Sequence, residues 1–284
     1  MSAQPASVTR MPYVYASGVR VHYAEHGPRD AERTLVLLHG FTPDHRLMTG
    51  AFEPVLARRG GWRRVYLDLP GMGLTKAPGH IVSTDDVYAV VRDTVDALVP
   101  GAYAVAGESY GGYLARGLVA EHRQRVTGMA LVCPMLVAEH AERDVPVHQV
   151  LHRDPFCAAL PRGTEFDDMT VVQTEETYRR VQQEIATGVA VADMPALDRI
   201  QEAWAGTFPR EPEDTTYDAP VLIFTGRQDS STGFRDAWPL LGHYPHATFA
   251  VSDRAGHNGH IEQAAVFDTL LEEWLDRVEG RTVR

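Results

Sequence analysis

One hexapeptide constrains this chain more than any other feature: Gly107-Glu108-Ser109-Tyr110-Gly111-Gly112. It follows the short β-rich run from Tyr103 to Ala106. It opens a stretch with Leu114, Leu118 and Val119 at helical spacing. G-x-S-x-G between a strand and a helix reads as a sharp turn that holds its serine in a strained conformation. Side chains two residues before and after the serine would collide, so Gly107 and Gly111 are required there. The Ser109 hydroxyl then stands exposed above a sheet, over the free N–H groups and partial positive charge of a helix start. The plain alternative is a glycine-rich loop with an ordinary exposed serine. The strand before and the helix after weigh against it.

The rest of the chain supplies a sheet for that turn. Tyr13 to Tyr15 and Val19 to Tyr23 are β-rich runs joined at Ser17-Gly18, a hairpin signal. Thr34 to Leu38 is continuously apolar, as in a strand buried on both faces. Arg64 to Leu67, Met129 to Cys133, Val221 to Thr225 and Thr248 to Val251 are further strands. Helical periodicity falls between them: Met48, Phe52, Val55 and Leu56, closed by Gly60-Gly61; then Val87, Val90, Val91, Val95 and Leu98. Ser83 with Asp86 reads as a capping box for the second of these. The last helix carries Phe267, Leu270, Leu271, Trp274, Leu275 and Val278 along one face. Strands alternating with helices predict an α/β fold with a mostly parallel sheet and helices on both faces.

Between residues 134 and 212 this rhythm stops. The stretch has no convincing buried strand and two helices, near Glu175 to Thr187 after Thr174, and near Ala196 to Trp204. The expected organisation is a core of residues 1–133 and 213–284 with a helical cap at 134–212. Met135, Phe156, Leu160, Phe166, Met169, Tyr178 and Trp204 are the candidates in it for lining a pocket. Each is individually better explained by packing within the cap than by contact with a ligand.

A serine hydroxyl is a weak nucleophile and needs a base, which needs an orienting acid. Asp229 ends Val221-Leu-Ile-Phe-Thr-Gly-Arg-Gln-Asp229, just past a strand. His257 ends Ser252-Asp-Arg-Ala-Gly-His257, just past the last strand. Loops after strand ends converge on one sheet edge, where open α/β folds place their sites. Asp253 competes with Asp229 as the acid, but it sits at a strand end and reaches the imidazole less readily.

These stretches, with Leu37-Leu38-His39-Gly40-Phe41 and Asp68-Leu-Pro-Gly71-Met-Gly73, resemble the α/β-hydrolase superfamily over nearly the whole chain. The resemblance implies a catalytic Ser109, Asp229 and His257, and an oxyanion hole from the N–H groups of Phe41 and Tyr110. It gives supporting roles to His39, Gly40, Gly107 and Gly111, with His39 holding its loop by hydrogen bonding. Haloalkane dehalogenases and epoxide hydrolases of similar fold carry aspartate where Ser109 stands. The His-Gly-Gly-Pro-Gly loop of proline iminopeptidases is absent, which argues against aminopeptidase activity. Glu108 has no assigned role. It reads as a solvated or hydrogen-bonded group near the site, or as one that tunes the entrance, with the structural reading preferred.

The expected activity is hydrolysis of a carboxylic ester or lactone, macrolactones included, through an acyl-enzyme. A carbon–carbon bond hydrolase of the ring-cleavage-product type is the alternative, and a non-catalytic binding protein of the same fold is a third reading. No cofactor or metal is implied. His257/His260 and His243/His246 lack companion ligands, and the Gly71-Met-Gly73 loop lacks a phosphate-binding pattern. A net charge of −11 argues against nucleic acid. No basic amphipathic or spanning stretch argues for a membrane. Cys133 and Cys157 read as reduced thiols. Met1 to Arg10 lack the apolar run of a signal peptide. The expectation is a cytoplasmic monomer or small homo-oligomer acting on a small molecule.

Overall fold

The computed structural model describes residues 12–211 and 215–281. The leader reading at Met1 to Arg10 and the proposed boundary at 212/213 lie outside the described residues.

Ten strands are present among the described residues. Six precede the insertion: β1 (Tyr13–Ala16), β2 (Val19–His26), β3 (Arg33–Leu38), β4 (Trp62–Leu67), β5 (Tyr103–Glu108) and β6 (Val126–Val132). Two short ones follow, β7 (His152–Arg153) and β8 (Val172–Gln173), then β9 (Val221–Gly226) and β10 (Ala247–Ser252). Eight form one sheet in the order β1-β2-β4-β3-β5-β6-β9-β10. Only the β1–β2 and β2–β4 pairings are antiparallel. The hairpin turns where Ser17-Gly18 predicted, with positive φ at both residues.

The sheet separates two cores, and strand alternation assigns side chains to them. Val36 and Leu38 of β3 face α2 (Thr84–Leu98) and α3 (Tyr110–Glu121). Leu35 and Leu37 face α1 (His45–Leu56) and the C-terminal helix Ala264–Val278. This two-sided burial is why β3 reads as unbroken apolar sequence. Asp44 caps α1 by accepting the Arg46 N–H, and Ser83 caps α2 by accepting the Asp86 N–H. Asp86 in turn accepts from the Ser83 hydroxyl and the Val82 N–H.

Between β6 and β9 the chain leaves this sheet. The helix expected from Glu175 to Thr187 forms over Glu175–Val181 and continues through a π-helical turn, Gln182–Ala186, into Thr187–Val189. The second runs Met194–Gln201, ending three residues before Trp204. Two elements were not legible in the sequence. One is the parallel pair β7–β8; the other is the two short helices Pro155–Ala158 and Glu165–Met169. The two-residue pairing is too short to leave a period in the sequence.

Candidate active site

The turn after β5 has the geometry that the hexapeptide requires. Ser109 sits at φ 49°, ψ −116°, between the last strand residue and the first residue of α3. A Cβ on Gly107 would stand 2.3 Å from the Gly111 carbonyl oxygen. A Cβ on Gly111 would stand 2.2 Å from the Leu38 carbonyl oxygen. One glycine therefore lets the turn close on itself, and the other lets α3 lie against β3.

His257 and Asp229 meet beside it. His257 Nδ1 lies 3.0 Å from Asp229 Oδ2. Asp229 is fully buried, and its Oδ1 accepts the N–H groups of Ser231 and Thr232 at 2.8 and 3.0 Å. The Thr232 hydroxyl lies 2.7 Å from Oδ2. Burial alone would raise the Asp229 carboxyl. The His257 charge and hydrogen bond, with those from Thr232, outweigh it and hold the acid ionised. Asp253 is exposed and lies 3.7 Å from Arg227, so its nearest charge is at the surface.

The Nε2 edge of His257 faces an acid as well. Glu108 Oε1 is 3.3 Å away, and Glu108 is buried, not solvated. Among the described residues the Ser109 hydroxyl makes no hydrogen bond to His257. Catalytic hydrogen bonds of free enzymes are commonly long and tighten with substrate. Burial pushes the Glu108 carboxyl up to about 7, opposed by the His257 charge and helped by Asp229. Burial works to lower His257, but Asp229 and then Glu108 raise it to about 9.

His39 organises the opposite wall. It is fully buried; its Nε2 accepts the Leu69 N–H at 3.0 Å, so Nδ1 carries the proton and donates to the Gly40 carbonyl at 2.7 Å. Burial keeps this ring neutral. Phe41, Tyr110 and Trp204 pack as one aromatic group, with ring centroids 5.4, 4.8 and 4.7 Å apart. A cavity of about 490 Å³ lies over Ser109, His257 and Glu108, bordered by Gly40, Phe41 and Tyr110. Met135, Met169 and Trp204 also line it, whereas Phe156, Leu160, Phe166 and Tyr178 pack elsewhere.

Sequence reasoning missed three contributors. Thr232 could have been found from Asp229-Ser-Ser-Thr, a spacing that lets a carboxylate accept from the turn it begins. Arg143 lines the cavity with its three nitrogens on the Val137, Ser231 and Ala138 carbonyls. Nothing local in the sequence marks it. Glu108 was noted without its contact to His257, which depends on a residue 149 positions away.

Among the described residues, one group within ligating distance lies outside the cavity: His22, His45 and Asp68. Each Asp68 oxygen already takes one imidazole and one backbone N–H: His22 and Leu74 on Oδ2, both donors of His45 on Oδ1. The arrangement is a hydrogen-bond hub that fixes the loop after β4.

The family model for the α/β-hydrolase fold matches residues 33–211, and the chain belongs to that family. It is similar to a 2-hydroxy-6-oxononadienedioate/2-hydroxy-6-oxononatrienedioate hydrolase of Paraburkholderia phymatum, 27% identical over 276 residues, covering 90% of this chain and 91% of that one. Among solved structures, an α/β superfamily hydrolase from Oenococcus oeni superposes with a TM-score of 0.84 at 24% identity, over 95% of this chain and all of that one. A thermophilic esterase from Thermogutta terrifontis superposes at 0.69 with 17% identity, over 95% of this chain and 99% of that one.

Proposed function

We propose that this α/β-hydrolase attacks an activated carbonyl with Ser109, with His257 as base and Asp229 as its orienting acid. The observation that carries this is the meeting of the Asp229–His257 hydrogen bond and the strained Ser109 turn at one cavity. In this reading Ser109 Oγ adds to the carbonyl carbon and its proton passes to His257 Nε2. The N–H groups of Phe41 and Tyr110 receive the oxyanion, a contribution typically worth about 10²–10³ in rate per donor. His257 returns the proton to the leaving group, and water then frees the acyl group. Residues 134–212 act as the cap that closes this cavity. Fluorophosphonate labelling tests the reading. The wild type becomes labelled and Ser109→Ala does not; a folded wild type that resists the probe overturns it.

The bond cleaved has two readings. The ring-cleavage hydrolase among the relatives favours a carbon–carbon bond of a vinylogous diketone. There the departing carbanion is delocalised and takes the proton from His257. An ester or lactone is favoured by the cavity lining. Glu108, Glu139 and Glu165 border it, and its two cations are engaged, Arg143 by three carbonyls and His257 by two acids, so neither is free to pair with a dicarboxylate substrate. Turnover of a ring-cleavage diketone panel beside uncharged aryl esters and lactones, with product masses, decides between them.

A further inference from the structure

His257 lies between two carboxylates, and the mechanism above uses only one. Asp229 takes the Nδ1 edge at 3.0 Å and Glu108 stands 3.3 Å from the Nε2 edge. The Glu108 side chain is only 3% exposed. A carboxylate so far from water needs a proton or a cation beside it. Among the described residues His257 is the cationic partner within 4.0 Å of Glu108. The oxyanion loop is shaped to admit this group, since a Cβ on Gly40 would stand 2.3 Å from Glu108 Oε2.

We propose that Glu108 is a positioning residue that acts through His257. In the free protein it occupies the ring edge that Ser109 needs, and its negative charge holds a proton on the imidazole. The proposal rests on reading Ser109, His257 and Asp229 as the catalytic set. The charged groups facing the ring are Asp229, Glu108 and, from the loop after β6, Arg143, which opposes the two acids. Cys133 beneath feels the same two acids and is kept a thiol by burial, while His260 on the following turn is kept neutral by burial with the Arg180 and His257 charges. Burial raises the Glu108 carboxyl and the two acids raise the imidazole, so the pair keeps a shared proton to higher pH than an isolated histidine.

Two consequences separate this role from a spacer. His257 accepts the Ser109 proton only when Nε2 is bare, so removing the charge at 108 lets the site switch on at lower pH. The imidazolium re-forms in the transition state, where the second carboxylate stabilises it again. Glu108→Gln is therefore expected to move the acidic limb of kcat/KM to lower pH by about one unit. It also lowers the plateau by up to about tenfold. A spacer changes the plateau and leaves the limb in place.

The deciding measurement needs no substrate. The His257 imidazole is titrated by NMR in the wild type and in Glu108→Gln, beside the pH dependence of fluorophosphonate inactivation. A lower His257 midpoint in the variant supports the proposal; an unchanged midpoint overturns it. Should Glu108→Gln fail to fold, Glu108→Asp keeps the charge but withdraws it by one methylene. It is expected to give a smaller displacement in the same direction, and no displacement overturns the proposal. Absence of labelling in the wild type would refute the hydrolase reading alone, because the titration still decides what Glu108 does to His257.

Discussion

An imidazole held between two buried acids ties stability to pH as well as activity. The folded value of about 9 for His257 lies above the unfolded value of roughly 6.5. Its pairing energy is therefore fully present below about pH 6.5 and is lost as pH rises towards 9. The melting temperature of the wild type is expected to exceed that of His257→Gln most at pH 6, with the gap closing by pH 9. A constant gap across that range would contradict the ion pairing. Asp229→Asn removes the acceptor that fixes the ring's tautomer and is expected to lower kcat by about 10⁴-fold. At this scale the sequence was informative where chemistry is local. Ser109 announces itself because the turn excludes Cβ atoms on both sides, and His257 because it follows a strand end. Glu108 was opaque for a geometric reason. In a continuing strand its side chain would point away from that of Ser109, but the positive φ of the turn ends that alternation.

Helices and strands were legible in proportion to how locally they are determined. The α2 start was readable because Ser83 and Asp86 satisfy each other within one turn. The strands of the main sheet were readable because a two-sided core demands apolar runs. The attachment of the inserted segment was not, because it depends on a distant acid. Glu262 ends the short helix Gly259–Glu262 that follows His257, and its Oε1 accepts the Val171 and Val172 N–H groups at 2.5 and 2.8 Å. Its Oε2 accepts the Gly256 N–H at 2.6 Å. One carboxylate thus ties β8 of the insertion to the residue before His257. A glutamine here presents an NH₂ group to one of these donors and leaves it unsatisfied. Glu262→Gln is expected to destabilise the protein by about 2–3 kcal/mol in denaturant titration. It should also lower kcat, since Gly256 sets where His257 sits. Full stability with full activity would show that β8 is held by other contacts.

The α/β architecture could be read from the chain because alternating periods imply a parallel sheet, whatever the insertion does. The cavity could not, since its walls come from many separated stretches that meet only in three dimensions, four of them aromatic or sulfur-bearing contributors to one wall. Phe41 follows β3, Tyr110 opens α3, Met135 follows β6, and Trp204 trails the helix Met194–Gln201. Trp204 joins them: it stacks on Tyr110 at 4.7 Å and meets Phe41 edge-on at 4.8 Å. The residues flanking the proposed oxyanion hole are therefore packed against the inserted segment, and pocket size and hole geometry share one side chain. Trp204→Ala is expected to cost about 2 kcal/mol, below the range for a fully buried aromatic because Trp204 is only half-buried. The space released would admit a longer acyl group, each added methylene contributing up to about 0.8 kcal/mol of binding. The ratio of kcat/KM for a hexanoyl to an acetyl aryl ester should then rise by more than about tenfold, with fluorophosphonate labelling retained. A parallel fall for both esters would mean that Trp204 supports the oxyanion loop alone. An unchanged ratio with full activity would place the acyl group against another wall.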